Sequence, residues 1–278
     1  MINHIRRIFY LALVLGVGFC AVMEYRATAD DAALMFVPTE TKLTSAQFLE
    51  RVARQFRVSA SANHSFAPST EITALAHKHF MLHGATPRVW YDITPDVQGS
   101  MPLVILLHGA GRDGLSLLEM WQATSQKYGI ALAAPNSFGQ TWDLADPEPA
   151  FIVQIVDAMA DAHNIDRDRI FLFGHSDGAA YAQVLLAGTR GPWRAAVLHA
   201  GYAPDVLKTS GQVKPYRLYI GEQEQIFSIS QARHIGQVRA EQGQPNELIT
   251  IPNHDHWFYA IGPQIAEDAW AWFASLRS

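Results

Sequence analysis

Ile170-Phe-Leu-Phe173-Gly174-His175-Ser176-Asp177-Gly178-Ala179-Ala180 is the stretch on which the fold turns. A short apolar run enters a Gly-x-Ser-x-Gly motif, and a run of small residues leaves it. The first part reads as a buried strand and the last as a helix, so Ser176 falls in the turn between them. Bulky side chains beside that serine would strike neighbouring backbone, and glycines at 174 and 178 answer the steric demand. Ser176 is then held at the carboxyl end of a sheet, with a helix N-terminus and its N–H groups beside it.

Working outward, Arg88–Ile93 looks like a strand, and further short, continuous apolar runs follow: Leu103–Leu107, Ile130–Ala134, Ala195–Leu198, Arg217–Ile220 and Glu247–Ile251. Continuous apolar strands are buried on both faces, as in parallel sheets. Helical patterns fall between most of them, at Leu115–Tyr128, Phe151–His163, Ala179–Leu186 and Ser230–Gln242, and a last one covers Gln264–Leu276. The alternation predicts an α/β fold with a mainly parallel central sheet and helices on both faces. The catalytic domain is expected over 77–278. Before it, 30–76 reads as an extension with one helix over Thr44–Phe56, capped at Thr44 or Ser45, and a polar linker over Ser59–Thr70.

A serine hydroxyl is a weak nucleophile. It needs a base within hydrogen-bond reach and an acid to orient that base. On such a sheet the partners follow in the order serine, acid, histidine. The loop after Arg217–Ile220 offers Glu222 and Glu224, with Glu224 favoured because it lies far enough along to turn back over the sheet edge. The loop after Glu247–Ile251 offers His254 and His256. His256 is favoured because Trp257-Phe258-Tyr259 can pack and shield its ring, which leaves His254 as a supporting or surface residue. Acyl transfer also wants fixed N–H donors for a developing oxyanion. The backbone of Asp177 and of Ala110, in the loop His108-Gly109-Ala110-Gly111, are the expected donors. His108, Trp142 and Tyr202 follow strands near the site and are candidates for a substrate pocket.

Rival chemistries are weaker. Gly109-Ala-Gly111-Arg-Asp-Gly114 matches a dinucleotide fingerprint, but the next strand ends in Pro135-Asn136-Ser137 with no carboxylate for a ribose. His254, Asp255 and His256 could be drawn as metal ligands, yet the serine–acid–histidine order accounts for them without a metal. His77, His79 and His83 read as surface residues. No metal or organic cofactor is required.

Apolar residues make up 49% of the 278 and charged residues 17%, which excludes a disordered or coiled-coil chain. The net charge of −5 leaves no basic footprint for nucleic acid. Arg6 and Arg7 precede an apolar run from Ile8 to Met23 and a small-residue site at Ala27-Thr28-Ala29. This reads as an export signal over 1–29, giving a secreted or periplasmic protein, or as an uncleaved anchor, the one case in which a membrane is a partner. Cleavage after Ala29 removes three positive charges and one negative, taking the balance from −5 to −7. It also removes Cys20, the single cysteine, so a thiol nucleophile is excluded from the mature chain.

These residues carry a resemblance. Leu107-His108-Gly109, Thr141-Trp142-Asp143, Asp166-x-Asp168-Arg169-Ile170 and Gly174–Gly178 resemble the α/β-hydrolase superfamily over about residues 80–276. The likeness is greatest to secreted esterases related to poly(3-hydroxybutyrate) depolymerases and feruloyl esterases. Asp255-His256-Trp-Phe-Tyr is similar to the Asp-His-Ser-Tyr-Tyr segment of S-formylglutathione hydrolases, where the histidine after the aspartate is catalytic. The resemblance implies a serine hydrolase acting on a small or oligomeric carboxylic ester through an acyl-enzyme. An acyltransferase, a serine peptidase or a non-catalytic binding domain on the same fold are the alternatives. Two departures stand out: a glutamate in place of the commoner aspartate, and Pro147-Glu148-Pro149-Ala150-Phe151 where the family has Asp-Val-x-Phe.

Overall fold

A computed structural model describes residues 47–58, 64–144, 148–188, 191–203 and 213–276. The expected signal or anchor, Thr44, Ser45 and part of the polar linker lie outside them. All the elements below belong to one compact unit.

The strands are β1 (Phe48–Val52), β2 (His77–His83), β3 (Thr86–Ile93), β4 (Met101–Leu107), β5 (Ala131–Pro135), β6 (Ile165–His175), β7 (Trp193–His199), β8 (Tyr216–Gly221) and β9 (Asn246–Ile251). They form one sheet in the order β1-β9-β8-β7-β6-β4-β5-β3-β2. Pairing is parallel from β1 through β5, and antiparallel where β3 joins β5 and β2 joins β3. The helices are α1 (Thr70–Leu75), α2 (Gly114–Tyr128), α3 (Pro149–Ala162), α4 (Asp177–Gly188), α5 (Ile229–Glu241) and α6 (Gly262–Ser275).

The apolar runs are strands because each feeds two cores in alternation. Leu103, Ile105 and Leu107 of β4 face α3, α4 and α5, while Val104 and Leu106 face α2 and α6. Leu172 of β6 joins the first core, and Phe171 and Phe173 join the second. A period of two with both faces apolar is what a sheet covered on both sides requires. Every residue of β4 is buried. Trp121 on α2 meets Phe173 edge-on at 5.0 Å, and Phe273 on α6 stacks on Phe171 at 4.4 Å.

One expectation is corrected. The helix expected over Thr44–Phe56 is instead the strand β1, paired parallel with β9 from Phe48↔Asn246 to Val52↔Thr250. Phe48, Leu49, Val52 and Phe56 suit a helical stripe, but β9 presents an open edge of backbone donors and acceptors. Arg51 adds an ion pair to Glu247 at 2.6 Å, and Glu50 pairs with Arg233 of α5. Pairing that edge outweighs local periodicity. His77, His79 and His83 lie on the edge strand β2 and keep the surface exposure expected of them; His79 in addition stacks on Trp90 and bonds the buried Asp92.

Candidate active site

The strand ends place the site. β4, β6, β8 and β9 run parallel, so their carboxyl ends carry His108, Ser176, Glu224 and His256 to one edge of the sheet. Ser176 joins β6 to α4 with φ of 55°, a left-handed conformation that a non-glycine residue adopts at a cost of about 1–3 kcal/mol. Close approach by its neighbours enforces it. A Cβ on Gly178 would lie 2.0 Å from the carbonyl of Leu107, and one on Gly201 would lie 2.0 Å from the carbonyl of Ser176. The Ser176 N–H donates to the carbonyl of His199 at 2.8 Å.

Ser176, His256 and Glu224 come together although the sequence separates them widely. Ser176 Oγ lies 2.9 Å from His256 Nε2, and His256 Nδ1 lies 2.8 Å from Glu224 Oε2. A carboxylate only accepts, so Nδ1 carries the hydrogen and Nε2 is left with the lone pair that receives the serine O–H. Glu224 Oε1 accepts two backbone N–H groups, from Ile226 at 2.7 Å and Phe227 at 3.2 Å. Burial pushes the Glu224 carboxyl up, but the bond and charge of His256, helped by these two N–H groups, outweigh it and hold the group below its ordinary value. Glu222, the other candidate acid, is exposed and lines a separate recess with Arg54, Arg57 and Asn253. Phe227 stacks on the His256 ring at 6.1 Å, and Tyr202 meets Phe227 edge-on at 5.1 Å while its hydroxyl donates to the Ser228 carbonyl.

The loop after β4 lies against Ser176: a Cβ on Gly109 would be 3.3 Å from the Ser176 Cβ. Ala110 follows it, and Asp177 opens α4 directly after Ser176. His108 and Trp142, expected as pocket candidates, do a different job. His108 is 1% exposed, its Nδ1–H donates to the Gly109 carbonyl at 2.8 Å, and its Nε2 accepts the Ser137 N–H at 3.0 Å. Trp142 is buried, stacks on Tyr181, and donates its indole N–H to the His108 carbonyl at 2.8 Å. Both are spent on clamping the loop over 136–142 to the loop that carries Ala110. The Gly111 N–H adds a bond to the Gln140 carbonyl at 2.7 Å, and Asp177 Oδ2 accepts the Trp142 N–H at 2.6 Å. Burial, opposed by that bond, pushes the Asp177 carboxyl up to about 6.

His254, read from sequence as a supporting or surface residue, is wholly buried. It belongs with His175, which sits at a variable position of the Gly-x-Ser-x-Gly motif, and with His199, which lies in no motif. Their one signal was position: both end parallel strands that point at the site.

No family model matches the chain, and no curated protein matches it. Solved structures do. FphF, a fluorophosphonate-binding serine hydrolase of Staphylococcus aureus, is 15% identical with a TM-score of 0.59, covering 71% of this chain and 97% of its own. The S-formylglutathione hydrolase FrmB of the same organism is 14% identical with a TM-score of 0.56, covering 71% and 98%. A Bacillus cereus carboxylesterase is 19% identical with a TM-score of 0.52, covering 67% and 93%. With a strand–turn–helix serine at the edge of a nine-stranded, mostly parallel sheet, and with these neighbours along nearly their whole length, the chain has the α/β-hydrolase fold.

Proposed function

We propose that the chain is a serine hydrolase that cleaves carboxylic esters through an acyl-enzyme. The observation that carries this reading is the unbroken line of hydrogen bonds from Ser176 Oγ through His256 to Glu224. Ser176 Oγ attacks the ester carbonyl carbon as its proton passes to His256 Nε2. The carbonyl electrons move to oxygen, where the N–H groups of Ala110 and Asp177 stabilise the charge. Glu224 holds the imidazole tautomer and stabilises the imidazolium. The oxyanion collapses, the C–O bond to the alcohol breaks, and His256 returns the proton to the leaving oxygen. Water then repeats the sequence on the acyl-serine.

Two exposed apolar side chains support a substrate with an apolar part. Phe138 is 73% exposed on the loop clamped beside Ala110, and Ile226 is 51% exposed on the loop of Glu224. The serine hydrolase and carboxylesterase among the structural neighbours accord with the reaction class. We propose further that residues 1–29 export the protein; N-terminal sequencing of the secreted form, with cleavage expected after Ala29, tests this.

A fluorophosphonate probe should label the wild-type protein at Ser176, and Ser176→Ala should abolish both labelling and ester hydrolysis. Undiminished hydrolysis by Ser176→Ala refutes the mechanism. A nitrophenyl ester series, a hydroxycinnamate ester, amides and alcohol acceptors separate esterase from peptidase and acyltransferase by product.

A further inference from the structure

Three buried histidines outside the triad stand against it. His175 precedes the nucleophile, His199 ends β7, and His254 lies two residues before His256; none is more than 5% exposed. His175 Nδ1 lies 3.0 Å from His199 Nδ1, and His199 Nε2 lies 2.9 Å from His254 Nε2. The His175 ring packs 5.2 Å from that of His256 and stacks on Phe258. His254 Nδ1 is buried and has no partner among the described residues.

A contact between two ring nitrogens is a hydrogen bond only when one carries hydrogen and the other a lone pair. A neutral imidazole carries one hydrogen. Once His199 donates to one neighbour it must accept from the other, so all three rings share one direction. Only two arrangements satisfy both bonds, and passing between them moves a hydrogen on every ring. Burial keeps the rings neutral: it holds His175 and His199 well below the ordinary histidine value and pushes His254 down to about 4.

The same residues hold every loop of the triad. The His199 carbonyl accepts the Ser176 N–H at 2.8 Å, and the His254 carbonyl accepts the N–H of Gln223, next to Glu224, at 2.8 Å. That second approach is possible because residue 221 is glycine; a Cβ there would lie 2.1 Å from the His254 carbonyl oxygen. Inert filling of the core would need neither matched nitrogens nor rings that cost free energy to desolvate.

Resting on the serine-hydrolase reading above, we propose that His175, His199 and His254 form a directed chain of neutral imidazoles that positions Ser176, Glu224 and His256 for reaction. They are positioning residues: the chain's bonds run between the loops and leave the reacting atoms to the triad.

His254→Leu keeps the bulk and removes the bond to His199, whereas His254→Gln offers an amide where Nε2 stood. His254→Leu should lower kcat for a nitrophenyl ester about 100-fold with KM unmoved, the scale of a misplacement near 1 Å. His254→Gln should restore most of that loss. His199→Asn, which retains only the link toward His175, gives the same readout should His254→Leu fail to fold. Nitrogen-15 spectra add a signature free of turnover: neutral rings at 175, 199 and 254, and a low-field His256 Nδ1 proton that shifts in His254→Leu but not in His254→Gln. Wild-type kcat in His254→Leu, no recovery in His254→Gln, or a charged ring among the three at neutral pH overturns the proposal. A wild-type protein that neither hydrolyses esters nor reacts with the probe overturns the reaction instead, and the His256 proton still decides the chain.

Discussion

Replacing Glu224 with glutamine changes one atom and should nearly abolish the proposed ester hydrolysis. The glutamate presents two oxygens to two different surroundings: Oε1 to the N–H groups of Ile226 and Phe227, Oε2 to His256 Nδ1–H. Glutamine has one oxygen and one NH2. Placing NH2 at the Oε1 position sets a donor against two fixed backbone donors; placing it at the Oε2 position sets it against one imidazole. The backbone cannot change its hydrogens, but the imidazole can move its own. The amide oxygen therefore takes the Oε1 position, and the NH2 forces His256 into the tautomer with hydrogen on Nε2. That hydrogen faces Ser176 Oγ at 2.9 Å, where a lone pair is needed to receive the serine proton. A misdirected tautomer in a serine triad costs about 10⁴ in kcat, or about 5 kcal/mol of transition-state stabilisation. The assay is kcat for a nitrophenyl ester, with thermal unfolding confirming that the variant stays folded. Because binding does not use the tautomer, KM should hold. A loss of kcat smaller than about tenfold would mean that Glu224 does not govern the His256 tautomer, and the acid would have to be sought elsewhere.

Three other outcomes follow from the packing and the charges. Asp177 ionises against burial, with a folded value of about 6 above the ordinary 3.8, so its contribution to stability is present below 3.8 and is lost as pH rises through 6. Asp177→Asn, which can still accept the Trp142 N–H, should therefore raise stability at pH 8 by up to about 3 kcal/mol and leave it unraised at pH 3.5; urea unfolding at both values checks this, and an equal gain at both would refute it. Gly178→Ala puts a Cβ 2.0 Å from the Leu107 carbonyl, so soluble folded protein should be lost; a folded variant with wild-type kcat would contradict the close approach. Trp121→Ala opens a void between α2 and β6 and should cost about 3–5 kcal/mol in urea unfolding, and a cost below about 1 kcal/mol would mean the core collapses to fill it.

What the sequence carries of the fold is local in origin. Continuous apolar runs such as Leu103–Leu107 mark strands covered on both faces, and all six runs, like the separate stretch Arg88–Ile93, are strands. Phe48–Val52 was misread because five residues with an apolar stripe satisfy either period, and only the open edge of β9 decides between them. Glu222 and Glu224 were separable in sequence only by distance along their loop. The structure separates them by surroundings, since two backbone N–H groups and an imidazole converge on Glu224 while Glu222 faces solvent. His108 and Trp142 were placed in the right region but given the wrong task, because a strand-end position says where a residue is and not which way its ring points.

By itself, then, the sequence determined the strand–turn–helix about Ser176 and the α/β alternation. Each follows from sterics or periodicity within a few neighbouring residues. The tertiary structure alone decided which carboxylate holds His256, what His108 clamps, and that His175, His199 and His254 meet in the core. Those contacts join residues up to 55 positions apart, and their partners are chosen by the register of parallel strands and the direction of each side chain at the sheet edge. Hydrogen bonds between such groups depend on ångström distances and on which nitrogen bears a hydrogen, and neither quantity is carried by any local run of residues.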